Sequence, residues 1–368
     1  IERARVVTPS EVLSDADVWI HDGRIAGLAP RSIPADARRI DAAGRLLLPG
    51  FVDLHSDAVE KWIQPRPGGI FDIPTAVIEL DKHLASCGIT TMYHCLCFGD
   101  SSRKNELRRG DATSRIARTI RELDPHLCVR NRIHARFEIM ESEYASTIAS
   151  LVREEQIQLL SFMDHTPGQG QFTSFDHFKT YYSQAMRMTE EEAVALAEKR
   201  MAARDTFDDS HMRDLAGLCR ACAVPLASHD DDTPDKVAWV HGMGVGISEF
   251  PVRLAAARAA HERGMGVLMG SPNILRGGSL TQNLSGREAI QDGSCTLMGS
   301  DYAPMSMLHA AFAVHNEMGY SLPEAFNLLS RHPAAAIGAE QEIGAIAEGL
   351  AADLVLVDNA GEHPRVLR

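Results

Sequence analysis

The stretch LLLPGFVDLHSDAVEKW, residues 46–62, decides the fold. The run from Leu46 to Val52 is apolar around its turn residues Pro49 and Gly50, and it leads straight into His55, Asp57 and Glu60. An apolar run ending in turn chemistry reads as a buried strand. Alternate side chains on a strand share a face, so His55 and Asp57 are expected to aim together beyond the strand's C-terminal end. An imidazole and a carboxylate converging at the mouth of a core suit a metal ion. A His–Asp hydrogen bond at a surface turn is the competing reading.

Seven more runs of this kind follow: ITTMYHCLCF (89–98), CVRNRIHARFEI (128–139), IQLLSFMDH (157–165), VPLASHD (224–230), VGISEF (245–250), GVLMGS (266–271) and CTLMGS (295–300). Amphipathic helical stretches separate them, among them residues 74–88, 144–156, 251–264 and 321–333. Residues 174–222 read as a long, mostly helical elaboration between two strands. Eight strands alternating with helices over residues 49–340 predict an α/β fold, a (β/α)8 TIM barrel. A doubly wound open sheet is the runner-up, but no Gly-rich dinucleotide fingerprint follows the first strand. The chain ends differ. RARVVTP, ADVWIHDGRIAGLAP, ARRIDAAGR and IGAIAEGLAADLVLVD are short alternating stretches split by Gly, Pro and Asp. Residues 1–48 and 341–368 together are expected to form one small β-sandwich domain.

The totals bound the function. With 368 residues, the chain can bury one large core and a small accessory one. No apolar run approaches the ~20 residues that span a membrane. The opening IERARVVTPS has no signal-peptide core, and starting at Ile it is expected to lack some native N-terminal residues. Seven cysteines, an odd number, argue against a disulfide framework. A reducing, cytoplasmic location is therefore expected. Cys219 and Cys222 form a C-x-x-C in a helical stretch with no second pair, and Cys95 and Cys97 read as core thiols. A net charge of −13 disfavours nucleic acid as a partner. One small anionic substrate in a local basic pocket remains open, as does homo-oligomerisation.

In such barrels chemistry sits at the C-terminal strand ends. Those ends carry His55 and Asp57, Glu138, Asp164 and His165, His229 and Asp230, and Asp301. Repeated His and carboxylate at one end of several strands suits Zn, Mn or Fe. His134 shares an alternation with Glu138 and would lie deeper in the barrel. Asp164 and Asp230 are expected to orient the neighbouring histidines. His21, His83, His94, His126, His241 and His309 read as satisfied or exposed imidazoles.

PGFVDLH, the barrel strands, GSD and GAIAEGLAADLVLVD together resemble the amidohydrolase superfamily over essentially the whole chain. The usual first-strand motif has two histidines around one residue, whereas here Asp57 takes the second place. HSDAVEKWIQPRPG, FMDHTPGQGQF, SHDDDTP, SPNILRGGS and SDYAP are similar to one branch, the diphosphatases of the bacterial carbon–phosphorus lyase pathway for phosphonate breakdown. The chain departs from that branch at Leu280, Thr281 and Gln282, where His and small residues are expected.

The resemblance implies a two-ion site, zinc first with Mn or Fe as alternatives, held by His55, Asp57, Glu138, His165, His229 and Asp301. Glu138 would bridge the ions, and Asp301 would also be catalytic, moving the proton of the attacking water. His165 and His229 fall on strands four and five by this count, where the superfamily often uses five and six. The implied reaction takes ribose 1-methylphosphonate 5-triphosphate to the 5-phosphate and pyrophosphate. Lys61, Arg66, Asn273, Arg276 and the Gly277–Gly278 backbone are the candidate contacts to that anion. A C–N hydrolase is the first alternative. A metal-free binding module is the second, and six plausible ligands speak against it.

Overall fold

The structure, a computed structural model, describes residues 1–28, 36–99, 106–108, 111–170, 172, 174–184, 188–279, 283–361 and 363–368. The chain begins with β1 (Ala4–Val7), β2 (Val12–Ala16), β3 (Val18–His21), β4 (Arg24–Leu28) and β5 (Leu46–Pro49). The next eight strands are β6 (Phe51–Ser56), β7 (Ile89–Phe98), β8 (Arg130–Glu138), β9 (Leu159–Met163), β10 (Leu226–His229), β11 (Ile247–Glu249), β12 (Gly266–Gly270) and β13 (Leu297–Gly299). They pair in parallel from β6 to β13 in chain order, and helices connect them. This is the (β/α)8 barrel, and all eight expected runs supply its strands.

The last two strands, β14 (Leu354–Asp358) and β15 (Arg365–Val366), return to the chain's start and build a separate sheet in the order β15-β14-β5-β1-β2. The β3–β4 hairpin turns on Asp22 and Gly23, at φ 48° and 72°, the left-handed pair that an Asp-Gly turn supplies. Its Val18 and Ile25 share an apolar cluster with Ala4, Val6 and Leu47 of the sheet. Two expected strands do not form. Residues 37–45 make a bridge at Asp41 and then turn through Ala43 and Gly44, both at positive φ, while residues 343–349 turn through Gly344 and Gly349.

Alternation explains why polar groups collect inside one end of the barrel. Along β8, Ile133, Ala135 and Phe137 pack into the apolar layer shared with the surrounding helices. The intervening His134, Arg136 and Glu138 therefore face inward. Below them Leu159, Ala227, Ile247, Leu268 and Leu297 form a second apolar cluster. Each buried leucine or isoleucine there contributes ~1.5–3 kcal/mol. The interior is thus a packed plug with a polar upper end.

The seam between β13 and β6 closes through residues of that end. Asp301 N donates to His55 O at 2.9 Å, and Asp57 N donates to Asp301 O at 2.6 Å. Helices Phe175–Gln184, Glu190–Asp205 and Ser210–Ala221 fill the interval between β9 and β10, as the composition of 174–222 suggests. The middle helix opens with a capping box: Glu192 N donates to Thr189 Oγ1, and Thr189 N donates to Glu192 Oε2. Phe172, Phe178, Tyr182 and Leu196 give this segment its own apolar cluster. All seven cysteines are free. Among the described residues, no helix is long and apolar enough to cross a membrane.

Candidate active site

A cavity of about 470 Å³ opens at the C-terminal ends of the barrel strands. His55, Asp57, Glu138, His165, His229 and Asp301 all line it, together with Lys61, Asn273 and Arg276. His165 follows the fourth barrel strand and His229 ends the fifth, so the strand count from sequence stands. Arg66 lies outside this lining, exposed in a turn bridged to Gly69. The N–H groups of Gly277 and Gly278 do not face the cavity as donors to an anion. Both donate to Asn273 O at 3.1 Å and close helix Ser271–Arg276, with Gly277 left-handed at φ 83°. Leu280, Thr281 and Gln282 lie outside the described residues.

His55 and Asp57 share the cavity but not their partners. The strand stops at Ser56, and Asp57 becomes the N-cap of helix Ala58–Ile63. His55 Nδ1 sits 3.1 Å from Glu249 Oε1, at the end of β11. Glu249 also accepts from Ser161 Oγ at 2.8 Å and lies 3.6 Å from His134 Nε2. His134 is fully buried beneath Glu138, in the deeper position the alternation predicts. Burial opposes ionisation of Glu249, yet His134 and His55 hold its carboxyl well below the usual range. Asp57 instead accepts from Arg136 Nη1 at 2.9 Å. Burial again opposes its charge, and the guanidinium outweighs it, so Asp57 is held well below the carboxylate range.

The ends of β8, β9 and β10 form the second half of the rim. Glu138 Oε2 lies 2.8 Å from His165 Nδ1, facing that nitrogen rather than bridging between histidines. Arg200, from the middle helix of the insertion, donates to His165 O at 3.1 Å and to Tyr182 Oη at 2.8 Å. His229 Nδ1 is 3.1 Å from Asp230 Oδ2, and His165 Nε2 is 3.8 Å from the same oxygen. His229 Nδ1 and Asp230 Oδ2 are buried and have only each other, in a contact too poorly aligned to count as a full hydrogen bond. Orphaned buried atoms of this kind are costly and call for a ligand. Donor atoms of His165, His229 and Asp230 lie within 4.8 Å of one another. This mixed N/O trio fits a divalent metal ion.

Backbone strain gathers at the same rim. Asp230, Phe250 and Asp301 are left-handed, with φ of 52°, 52° and 56°, each at a cost of ~1–3 kcal/mol. Lys236 Nζ steadies one of them by donating to the carbonyls of His229 and Asp230 at 3.0 and 3.2 Å. Burial, with the Asp57 charge adding to it, pushes the Asp301 carboxyl up to about 6.

Strand-end reading passes over two residues. Glu249 closes VGISEF as His229 closes its own run, and the same rule applied there finds it. Arg136 falls on the alternation that links His134 to Glu138. The carboxylates next to the histidines also divide differently from expectation. Asp164 pairs with Arg204 of the insertion rather than orienting His165, while Asp230 stands 3.1 Å from His229 Nδ1 in a group that could hold a metal ion.

The barrel, its terminal sheet and this rim define a hydrolase, and the chain belongs to the amidohydrolase family, whose profile matches residues 46–366. It is 34% identical over 367 residues to the alpha-D-ribose 1-methylphosphonate 5-triphosphate diphosphatase of Escherichia coli K12, across 99% of this chain and 96% of that one. It is 26% identical to an imidazolonepropionase of Caldanaerobacter subterraneus, across 95% and 85% of the two chains. The crystal structure of N-acetylglucosamine-6-phosphate deacetylase from Pasteurella multocida superposes with a TM-score of 0.66 at 13% identity, over 99% of this chain and 96% of that one. That last likeness concerns the fold alone.

Proposed function

We propose that this hydrolase uses a divalent metal to cleave ribose 1-methylphosphonate 5-triphosphate, or a close phosphorylated analogue, releasing pyrophosphate. The observation that carries the reading is one cavity that joins the His165–His229–Asp230 donors to Lys61, Arg136 and Arg276. The 34% identity to the diphosphatase supports the substrate class. His165, His229 and Asp230 would hold the ion, with Glu138 fixing the His165 ring through Nδ1. Zinc suits this donor set, and Mn and Fe are the alternatives. When bound, such an ion supplies a Lewis acid for the phosphoryl oxygen and lowers the pKa of a water.

The chain's own groups divide the remaining work. The water oxygen joins the phosphorus that stays on the sugar, and the anhydride oxygen leaves with pyrophosphate. The Asp301 carboxylate accepts the water's proton, a role suited to a carboxyl whose proton affinity is raised toward neutrality. Lys61 Nζ sits 4.8 Å above the Tyr302 ring, and Arg276 Nη1 bonds Tyr302 Oη. Tyr302 thereby gathers two cations at one wall, where they offset the charge of the departing pyrophosphate. A second ion, which the resemblance implies, would be held by His55 through Nε2 while Nδ1 keeps Glu249, and by Asp57 through the oxygen that Arg136 does not engage.

A substrate panel tests the reading. Metal-loaded protein is assayed on the sugar triphosphate, nucleoside triphosphates and cyclic amides, with pyrophosphate and amine release as readouts. Highest kcat/KM on the sugar triphosphate is the expected result. Turnover of amides alone would transfer the site to C–N hydrolysis.

A further inference from the structure

Arg200 belongs to the insertion rather than to the barrel, yet it ends at the rim. It stands on helix Glu190–Asp205, is 3% exposed and lines the cavity. Nη1 donates to His165 O at 3.1 Å and to Tyr182 Oη at 2.8 Å, and Nη2 lies 3.7 Å from Glu138 Oε2. The Glu138 carboxylate in turn straddles His165. Oε1 accepts from His165 N at 3.3 Å, and Oε2 faces the ring Nδ1 at 2.8 Å. Arg200 therefore touches both the backbone of His165 and the carboxylate that meets its ring.

An aromatic frame holds the guanidinium. Its carbon lies 5.8 Å and 5.5 Å from the ring centroids of Phe178 and Tyr182, and those two rings stack at 4.3 Å. Arg204 stands one helical turn further on, on the same face, and pairs with Asp164. Two arginines of one helix thus grip two consecutive residues just beyond β9. Their tasks differ, because Arg204 reaches Asp164 whereas Arg200 sets its charge beside Glu138.

A guanidinium keeps its proton in proteins, and a charge in so buried a place acts strongly on its neighbours. At 3.7 Å the contact with Glu138 is one of charge rather than a hydrogen bond. A carboxylate beside such a cation accepts, so the His165 ring donates from Nδ1. That fixes the tautomer and leaves Nε2 with a free lone pair, 3.8 Å from Asp230 Oδ2.

We infer that Arg200 is a positioning residue: it ties the insertion to Glu138 and His165 and so presents His165 Nε2 to a divalent ion. The inference rests on the metal-dependent reading above. It goes further by making residues 174–222 part of the machinery of the site.

Metal affinity tests it. Full-length wild type, Arg200→Met and Arg204→Met are stripped with a chelator, checked for native circular dichroism and titrated with Zn²⁺ by calorimetry. Arg200→Met is expected to bind the ion ~10–100-fold more weakly, and Arg204→Met to stay within about twofold of wild type. At saturating metal, Arg200→Met should lose at least ~10-fold in kcat while KM stays within about threefold. Equal weakening in both variants would reduce Arg200 to a strut of the insertion and overturn the inference, as would unchanged affinity in Arg200→Met. Wild type that binds no ion would overturn the metal reading along with it. Should Arg200→Met fail to fold, the ring nitrogens of stripped wild type decide. Nitrogen-15 spectra above the imidazole range, with His165 assigned by its loss in His165→Gln, are expected to show the proton on Nδ1. A proton on Nε2 would contradict the proposal.

Discussion

The ends of β6 and β10 carry the same two side-chain types, His55 with Asp57 and His229 with Asp230, and the fold treats them in opposite ways. At the first, Glu249 engages the imidazole and Arg136 engages the carboxylate. At the second, His229 Nδ1 and Asp230 Oδ2 face each other 3.1 Å apart in a poorly aligned contact, while Arg136 reaches the other His229 nitrogen. Spacing separates the pairs, two positions apart at β6 and adjacent at β10, but residue type does not. Side chains arriving from β8 and β11 do. Side chains from other strands engage both members of the β6 pair, whereas the β10 pair chiefly engages itself.

Breaking the two pairs separately exposes this contrast most strongly in turnover. Asp230→Asn alters a proposed ion donor and is expected to lower kcat/KM by at least ~10³-fold, about 4 kcal/mol of transition-state stabilisation. Asp57→Asn removes only a preorganising charge contact and is expected to cost ~10²-fold. Steady-state pyrophosphate release checks both. Equal losses would show that the two pairs do the same job.

The balanced half should reveal itself in stability instead. Glu249 is fully buried between His55, His134 and Ser161. Truncation by Glu249→Ala leaves those groups unpartnered and is expected to destabilise the fold by ~3–5 kcal/mol. Urea unfolding measures it, and a loss below ~1 kcal/mol would mean that the cluster is held by packing alone.

Smaller effects sharpen the boundary of the cavity. Arg276→Ala removes a charge-assisted contact from the wall and is expected to reduce kcat/KM on a triphosphate by ~10-fold or more. Its effect on an uncharged amide should be slight, and equal losses on both would make Arg276 structural. Arg66→Ala, outside the lining, is expected to stay within about twofold, the range of an exposed charge. A large loss would bring residue 66 back into the substrate site.

Much of this architecture is legible in the sequence because the barrel strands are apolar runs closed by turn residues. LLLPGFVDLH and CTLMGS announce both sides of the seam, and the ionisable residues that follow each run mark the rim. Pairing across strands is harder to read. Nothing local to Asp57 says that its partner is Arg136, 79 positions away. Glu249 stands at a strand end like the others, yet its role depends on His55 lying opposite. RGG after Arg276 suggests free N–H groups, but a helix of six residues ends there and takes both for its own cap. Residues 174–222 read correctly as helical, while their reach over the mouth through Arg200 depends on tertiary packing.

Stripping and reloading the metal tests the central claim most directly. Chelated, dialysed protein is assayed for pyrophosphate release from ribose 1-methylphosphonate 5-triphosphate, before and after titration with Zn²⁺, Mn²⁺ or Fe²⁺. The account predicts negligible release from stripped protein and recovery with at least one of these ions. Undiminished release from protein shown by elemental analysis to carry no metal would contradict it.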